Sequence, residues 1–167
     1  KIINNLIKKF NNIIIVGGMA NTILKYTGTN IGKSICEYEC GPLIKEIIKN
    51  SKKYNCEITI PKDVIVSKNL DGSGKEKNIN EIEENEMILD IGTKTISSIE
   101  KIINNSKTVL WNGPAGYFEN PNFANGSIQI AKEIIKNNKA NKIFSVVGGG
   151  DTVSLLNILN AVNEFNF

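Results

Sequence analysis

The chain has 167 residues, of which 41% are hydrophobic and 22% charged, a composition typical of one ordinary globular domain. Its 20 basic and 17 acidic residues are scattered and leave a net charge of +3, so neither a nucleic-acid-binding tail nor a membrane-binding patch is indicated. Histidine is absent, which excludes imidazole bases and histidine metal ligands within this chain. The three cysteines are an odd number without a signal-peptide pattern, so we expect reduced thiols and a cytoplasmic protein.

The first elements are a predicted helix, strand and second helix. Residues 1–10 place apolar side chains on one stripe at helical spacing. Residues 11–18 form an apolar run that ends in Gly17 and Gly18, which is typical of a strand buried on both faces. A helical pattern follows at 19–26. Open α/β sheets bind ligands at the carboxyl ends of their strands, so the two glycines are candidate site residues.

The next segment, 28–34, resembles a phosphate-binding Walker A loop but does not match it. Only three residues separate its first glycine from Gly-Lys-Ser, where the motif has four, and the segment follows a helix rather than a strand. We therefore interpret Gly28 and Gly32 as turn glycines.

The central part predicts a helix, a strand pattern and an irregular segment. Residues 43–55 are amphipathic, with isoleucines on one side and lysines on the other. Residues 57–66 are strand-like around Pro61, which forces a turn or an edge position. The polar, glycine-bearing segment 68–86 is predicted to be a surface loop whose charges face solvent.

The C-terminal half continues the alternation of strand and helix. Strand patterns at 87–92, 108–111 and 141–147 alternate with helical patterns at 93–105 and 123–138. Such alternation predicts an α/β fold, a three-layer, Rossmann-like parallel sheet with helices on both faces.

Glycine-bearing turns at 17–18, 112–116 and 148–150 each follow a predicted strand, so we expect them at one edge of the sheet, around a nucleotide-sized crevice. The last turn leads into a helix, whose first N–H groups and dipole favour a phosphate. Asp151 could hold Mg²⁺, and Thr152 could cap the helix or contact a phosphate. The alternative is a plain turn in which Asp151 or Thr152 only caps the helix.

Seven segments together resemble the C-terminal, nucleotide-binding lobe of the phosphoglycerate kinase family. They are GGMANTILK at 17–25, IGKS at 31–34, IPKDVIV at 60–66, LDIG at 89–92, TVLWNGPAGYFE at 108–119, FANGS at 123–127 and VVGGGDTV at 146–153. They occur in the family's order across almost the whole chain.

The resemblance implies that residues 1–167 are the nucleotide-binding (C-terminal) domain of such a kinase, truncated at both ends. The full-length enzyme would transfer a phosphoryl group between 1,3-bisphosphoglycerate and Mg-ADP, giving 3-phosphoglycerate and ATP. Mg²⁺ is the implied cofactor, and ADP or ATP the implied partner of this lobe. The phosphoglycerates would bind through the missing N-terminal lobe, so the chain alone is expected to be inactive. We expect a monomer that binds neither nucleic acid nor membrane.

The family's adenine and ribose contacts can be carried over to matching positions. The implied nucleotide-binding residues on this side of the site are Gly17, Gly18, Ile88, Asn112, Pro114, Tyr117 and Glu119. The two glycines would lie against the adenine, with Tyr117 on the adenine side. Glu119 would bind the ribose hydroxyls.

The resemblance also implies a set of phosphate contacts. Asp151 would bind the Mg²⁺ that accompanies the nucleotide. Thr152 and the amides of Gly149 and Gly150 would contact the phosphates as catalytic groups. Lys1 matches a lysine of the family that contacts the transferring phosphate.

Three positions depart from the family pattern: Val16 replaces a glycine, Ile88 replaces the glycine that lines the adenine, and Thr93 replaces a proline. The β-branched Ile88 predicts a narrower adenine pocket. These departures leave open a noncatalytic nucleotide-binding or structural module with the same fold. A Rossmann-type dehydrogenase domain is disfavoured because no GxGxxG sequence follows the first strand.

Overall fold

A computed structural model describes residues 2–167, so the predicted phosphate contact of Lys1 lies outside the described residues. The helices are α1 Ile2–Leu6, α2 Gly17–Tyr26, α3 Gly41–Tyr54, α4 Thr93–Asn104, α5 Asn125–Lys139 and α6 Gly150–Ile158, with 3₁₀ turns at Pro121–Phe123 and Val162–Glu164. The strands are β1 Asn12–Ile14, β2 Glu57–Thr59, β3 Asp63–Ser67, β4 Lys75–Asn78, β5 Met87–Ile91, β6 Thr108–Asn112 and β7 Phe144–Gly148. Across this described range, no helix has both the length and the apolar character needed to cross a bilayer.

The strands of residues 2–167 pair as three separate sheets. β1 and β2 are parallel, with Ile13 opposite Ile58, and β6 and β7 are parallel, with Asn112 opposite Gly148. The predicted α/β class, with parallel strands flanked by helices, is confirmed. The described strands do not form the single parallel sheet that the sequence predicts. β3 lies between β4 and β5 and is antiparallel to both. The connections between these three strands contain no crossover helix, which a parallel arrangement would require.

The main hydrophobic core lies between the β6–β7 pair and helices α4, α5 and α6. Its buried side chains include Ile99, Trp111, Ile134 and Leu155. The amphipathic patterns of α4 and α5 direct their apolar stripes into this core. Ile14 of β1 packs against the same core, so the two parallel pairs share one interior.

The segment 68–86 is not a simple surface loop, and the prediction that its charges face solvent is wrong for two of them. Lys77, on β4, is only 8% exposed and Glu86 only 6%. Lys77 Nζ lies 2.8 Å from Glu86 Oε1 and 2.8 Å from Glu83 Oε1. Burial acts to raise the pKa of Glu86, but the hydrogen bonds from Lys77 and from the Glu83 N–H, together with the nearby lysine charges, lower that pKa below its ordinary value. Mutual pairing is what makes burial of these charges tolerable.

Candidate nucleotide-binding site

The glycine turns that follow β1, β6 and β7 meet at one edge of the molecule, as predicted. The parallel register sets Asn112 opposite Gly148, so the turns after β6 and β7 are neighbours. Gly17 begins α2 directly after β1, and a β-carbon on it would lie 3.8 Å from the carbonyl oxygen of Pro114. Three loops distant in sequence thus adjoin.

The turn between β7 and α6 has open space in front of it. Gly149 has φ +88°, and a β-carbon there would lie 2.5 Å from Asn112 Oδ1, so only glycine lets the Asn112 side chain lie across this turn. Gly150 and Gly113 have no such neighbour within 4 Å. The first N–H groups of α6 have no acceptor within the helix and carry the positive end of its dipole. An anion such as a phosphate suits this position.

Asp151 and Thr152 lie inside α6, and neither caps it, because the residue at the cap position is Gly149. The alternative of a side-chain cap is therefore wrong for both. Asp151 is exposed at the open edge. Thr152 is 0% exposed, and its Oγ1 accepts a hydrogen bond of 2.7 Å from the N–H of Gly113. Its hydroxyl joins the β6 and β7 turns, so in this geometry a phosphate contact by Thr152 would fall to its backbone N–H.

A second set of contacts surrounds the turn at Gly17 and Gly18. A β-carbon on Gly18 would lie 3.2 Å from Ile35 Cδ1. Ile35 is 77% exposed, although it is a large apolar residue. Sequence reasoning did not single out Ile35, because its only signal is its place directly after IGKS. In the structure it forms an apolar wall beside the glycine turn.

Ile88 and Tyr117 are held by backbone hydrogen bonds that involve β5. The N–H of Ile88 donates to Ser34 Oγ at 2.8 Å, which ties β5 to the segment that carries Ile35. The N–H of Tyr117 donates to the carbonyl oxygen of Leu89 at 2.7 Å. The Ile88 side chain packs against the small apolar cluster of β3. Its narrowing of an adenine pocket stays a prediction.

The remaining predicted nucleotide contacts lie along the loop after β6. Pro114 is half-buried beside Gly17, whereas Glu119 is exposed shortly before the 3₁₀ turn. The structure therefore brings Gly17, Pro114 and Asn112 together with the turn between β7 and α6. Contact of Glu119 with a ribose stays a prediction.

Asp90 supports this loop from beneath, and sequence reasoning gave it no role. Its Oδ1 accepts from the N–H of Ile91 and its Oδ2 from the N–H of Gly126, both at 2.8 Å. A β-carbon on Gly116 would lie 2.7 Å from Asp90 Oδ1. Burial raises the pKa of Asp90 to about 6, although the two N–H donors act in the opposite direction.

The donor set at this edge suits a magnesium ion shared with a ligand. Within residues 2–167, no group of three or more acidic or cysteine side chains could hold a metal by itself. Mg²⁺ is commonly held by one or two carboxylates together with substrate phosphates. The exposed Asp151, beside the open N-terminus of α6, fits that arrangement.

Comparison with known proteins agrees with this arrangement. The family model described as "Phosphoglycerate kinase" matches residues 1–167. The chain is 36% identical to the phosphoglycerate kinase of Xanthobacter autotrophicus and 39% identical to that of Zymomonas mobilis, covering 100% and 99% of this chain. It spans only 43% and 42% of those two proteins.

Solved structures give the same result. The phosphoglycerate kinase of Coxiella burnetii superposes with a TM-score of 0.91 at 35% identity, covering 98% of this chain and 42% of that one. The enzyme of Pyrococcus horikoshii, at 23% identity, shares the fold with a TM-score of 0.72, over 94% of this chain and 40% of that one. The chain therefore belongs to the phosphoglycerate kinase family.

Proposed function

We propose that this chain is the nucleotide-binding lobe of an enzyme that transfers a phosphoryl group between 1,3-bisphosphoglycerate and Mg-ADP, giving 3-phosphoglycerate and ATP. The observation that carries the proposal is the junction of the β6 and β7 turns. There Asn112, the amides of Gly149 and Gly150, and the carboxylate of Asp151 border one open space. Family membership supports the same assignment.

Phosphoryl transfer needs positioning and charge neutralisation more than it needs a base, so the absence of histidine is no objection. The amides of Gly149 and Gly150 would donate to phosphate oxygens. Asp151 would hold Mg²⁺, which when bound neutralises charge on the phosphates. Thr152 would keep the β6 turn in register with α6, since its hydroxyl accepts the Gly113 N–H. Lys1 would contact the transferring phosphate.

The nucleoside end of the ligand would lie toward the turn at Gly17 and Gly18. Because glycine has no side chain, a flat ring could approach the backbone at this turn. The exposed Ile35 would cover one face of the ring with apolar surface. Tyr117 would lie on the adenine side and Glu119 at the ribose hydroxyls. Asn112 and Pro114 would border the path from base to phosphates.

Calorimetry of Mg-ADP binding tests the proposal. We expect Asp151→Ala to weaken Mg-ADP binding by about tenfold or more, since a contact to a charged group is worth roughly 1.5–3 kcal/mol. The difference in ADP affinity between Asp151→Ala and the unchanged protein should shrink when the metal is chelated. Asp71→Ala, which removes an exposed aspartate from the 69–74 loop, is the control and should bind like the unchanged protein. Equal affinities for Asp151→Ala and the unchanged protein would contradict the metal assignment. Absence of binding by every variant would favour a noncatalytic module.

A further inference from the structure

The chain contains two Asn-Gly pairs, Asn112–Gly113 and Asn125–Gly126, and the first lies in the candidate site. Asn-Gly is the dipeptide most prone to spontaneous deamidation, because glycine has no side chain to hinder attack by its own backbone nitrogen. In each pair the N–H of the glycine donates to a different acceptor, so the deamidation rates of the two pairs can be tested separately.

The reaction needs only water and a base. The backbone nitrogen of the glycine gives up its proton and bonds to the side-chain carbonyl carbon of the asparagine, from which ammonia leaves. Water then opens the resulting succinimide at one of its two carbonyl groups, which yields aspartate or isoaspartate. Overall, one water is taken up and one ammonia is released, with no oxidant or reductant. In isoaspartate the glycine nitrogen stays bonded to the former side-chain carbonyl.

At Asn112 the side-chain carbonyl group that would be attacked is accessible. Only the attacking nitrogen, the backbone N of Gly113, is held by a hydrogen bond. The Asn112 side chain is exposed at the end of β6. The Gly113 N–H donates to Thr152 Oγ1 at 2.7 Å, and Thr152 is wholly buried. A base can remove this proton only after the hydrogen bond has opened, which is also the first step of amide hydrogen exchange.

At Asn125 the nucleophile is held by a different group. The Gly126 N–H is buried and donates to Asp90 Oδ2 at 2.8 Å. The two pairs therefore have independent hydrogen-bond acceptors, and one can serve as the internal reference for the other.

We propose that Asn112 is a latent deamidation site and that the Thr152 hydroxyl suppresses its conversion by holding the Gly113 N–H. This chemistry does not require that the edge binds a nucleotide. If it does, conversion would place a carboxylate beside Gly149, where it would repel the phosphates that the α6 N-terminus attracts.

The test compares Thr152→Val, which removes the hydroxyl at similar volume, with Thr152→Ser, which keeps it. The intact polypeptide that carries this chain is aged at mildly alkaline pH, and peptide mapping by mass spectrometry follows Asn112 and Asn125. We expect Thr152→Val to raise the Asn112 rate roughly tenfold, the ratio that one hydrogen bond of typical strength supports. Asn125 should keep its rate, Thr152→Ser should resemble the unchanged protein, and hydrogen exchange at Gly113 should accelerate with the Asn112 rate.

Two results would overturn the proposal. An unchanged Asn112 rate in Thr152→Val would show that the hydroxyl does not protect the site. An equal rise at Asn112 and Asn125 would show that general unfolding, rather than the Thr152 bond, sets the rate.

Discussion

Single buried polar side chains hold the loops of the candidate site in place. Asp90 bonds the backbone at Ile91 and Gly126, and Thr152 bonds it at Gly113. Each joins segments that are far apart in sequence. The cost is burial of a group that water would otherwise solvate, and for Asp90 this cost appears as a pKa raised by burial to about 6.

Asp90 should make stability depend on pH in a definite direction. Its folded pKa of about 6 exceeds the ordinary value of 3.8, so between these values the folded protein binds a proton that the unfolded chain releases. The stabilising contribution of Asp90 is therefore complete below pH 3.8 and is lost as the pH rises through about 6. The total is about 3 kcal/mol.

The measurement is the free energy of unfolding of the intact protein and of Asp90→Asn across this pH range. Asp90→Asn cannot titrate, so the difference between the two proteins should change with pH while the effects of other carboxyl groups cancel. Parallel pH profiles would show that Asp90 ionises normally in the folded state.

At the scale of elements, α4 begins without a cap from its own chain segment. Gly92, at the cap position, has no side chain, and the first-turn N–H groups are satisfied from other strands. Asp63 of β3 accepts from the N–H groups of Lys94 and Thr95, each at 2.8 Å. Glu76 of β4 accepts from the N–H and the hydroxyl of Thr93. A proline at position 93 could not donate this backbone bond, which is a physical role for the threonine.

Asp63→Asn should destabilise the protein by about 2 kcal/mol, because a buried N–H loses its acceptor and the helix dipole loses a compensating charge. Burial raises the pKa of Asp63, but the bonds from Thr95 and Lys94 outweigh it and lower that pKa. This stabilisation is thus present above the ordinary pKa of 3.8 and is lost as the pH falls through the lower folded value. The sign is opposite to that of Asp90.

Denaturant unfolding near neutral pH measures the effect, and hydrogen exchange at Lys94 and Thr95 localises it. Glu76→Gln, at an exposed position, is the matched control and should cost less. If Asp63→Asn changes the free energy of unfolding by no more than a typical surface substitution, within about 0.5 kcal/mol, the capping role is contradicted.

At the scale of the whole molecule, the strands form two parallel pairs and one antiparallel sheet. Side chains from β1, β5, β6 and β7 pack with the helices in one core, and the glycine turns lie at one edge. The chain spans 43% and 42% of the two curated relatives compared. The chain contains neither arginine nor histidine.

We expect the 167-residue chain alone to show no 3-phosphoglycerate-dependent consumption of ATP, because in-line positioning of both substrates supplies much of the acceleration. A coupled assay on the purified chain measures this, and Mg-ADP binding by the same sample is the control for a folded site. Appreciable turnover by the chain alone would contradict the prediction and would require a phosphoglycerate site within it.

Much of the fold could be predicted because its signals are local. The apolar periodicity of α4 and α5 and the glycines after β1, β6 and β7 depend on neighbouring residues. Element ends were less accurate: the helix predicted over 1–10 is Ile2–Leu6, and Gly17 belongs to α2 rather than to the preceding strand.

The sequence by itself determined the α/β class, the glycine turns and the candidate residues around them, because each depends on residue type and short-range spacing. Only the tertiary structure decided that Lys77 pairs with Glu86 in the interior, that Asp63 caps α4 and that the Thr152 hydroxyl points to Gly113. The last two join residues 31 and 39 positions apart. No local pattern specifies such partners, because a polar side chain has the same sequence signal whether it faces water or a buried N–H from another loop.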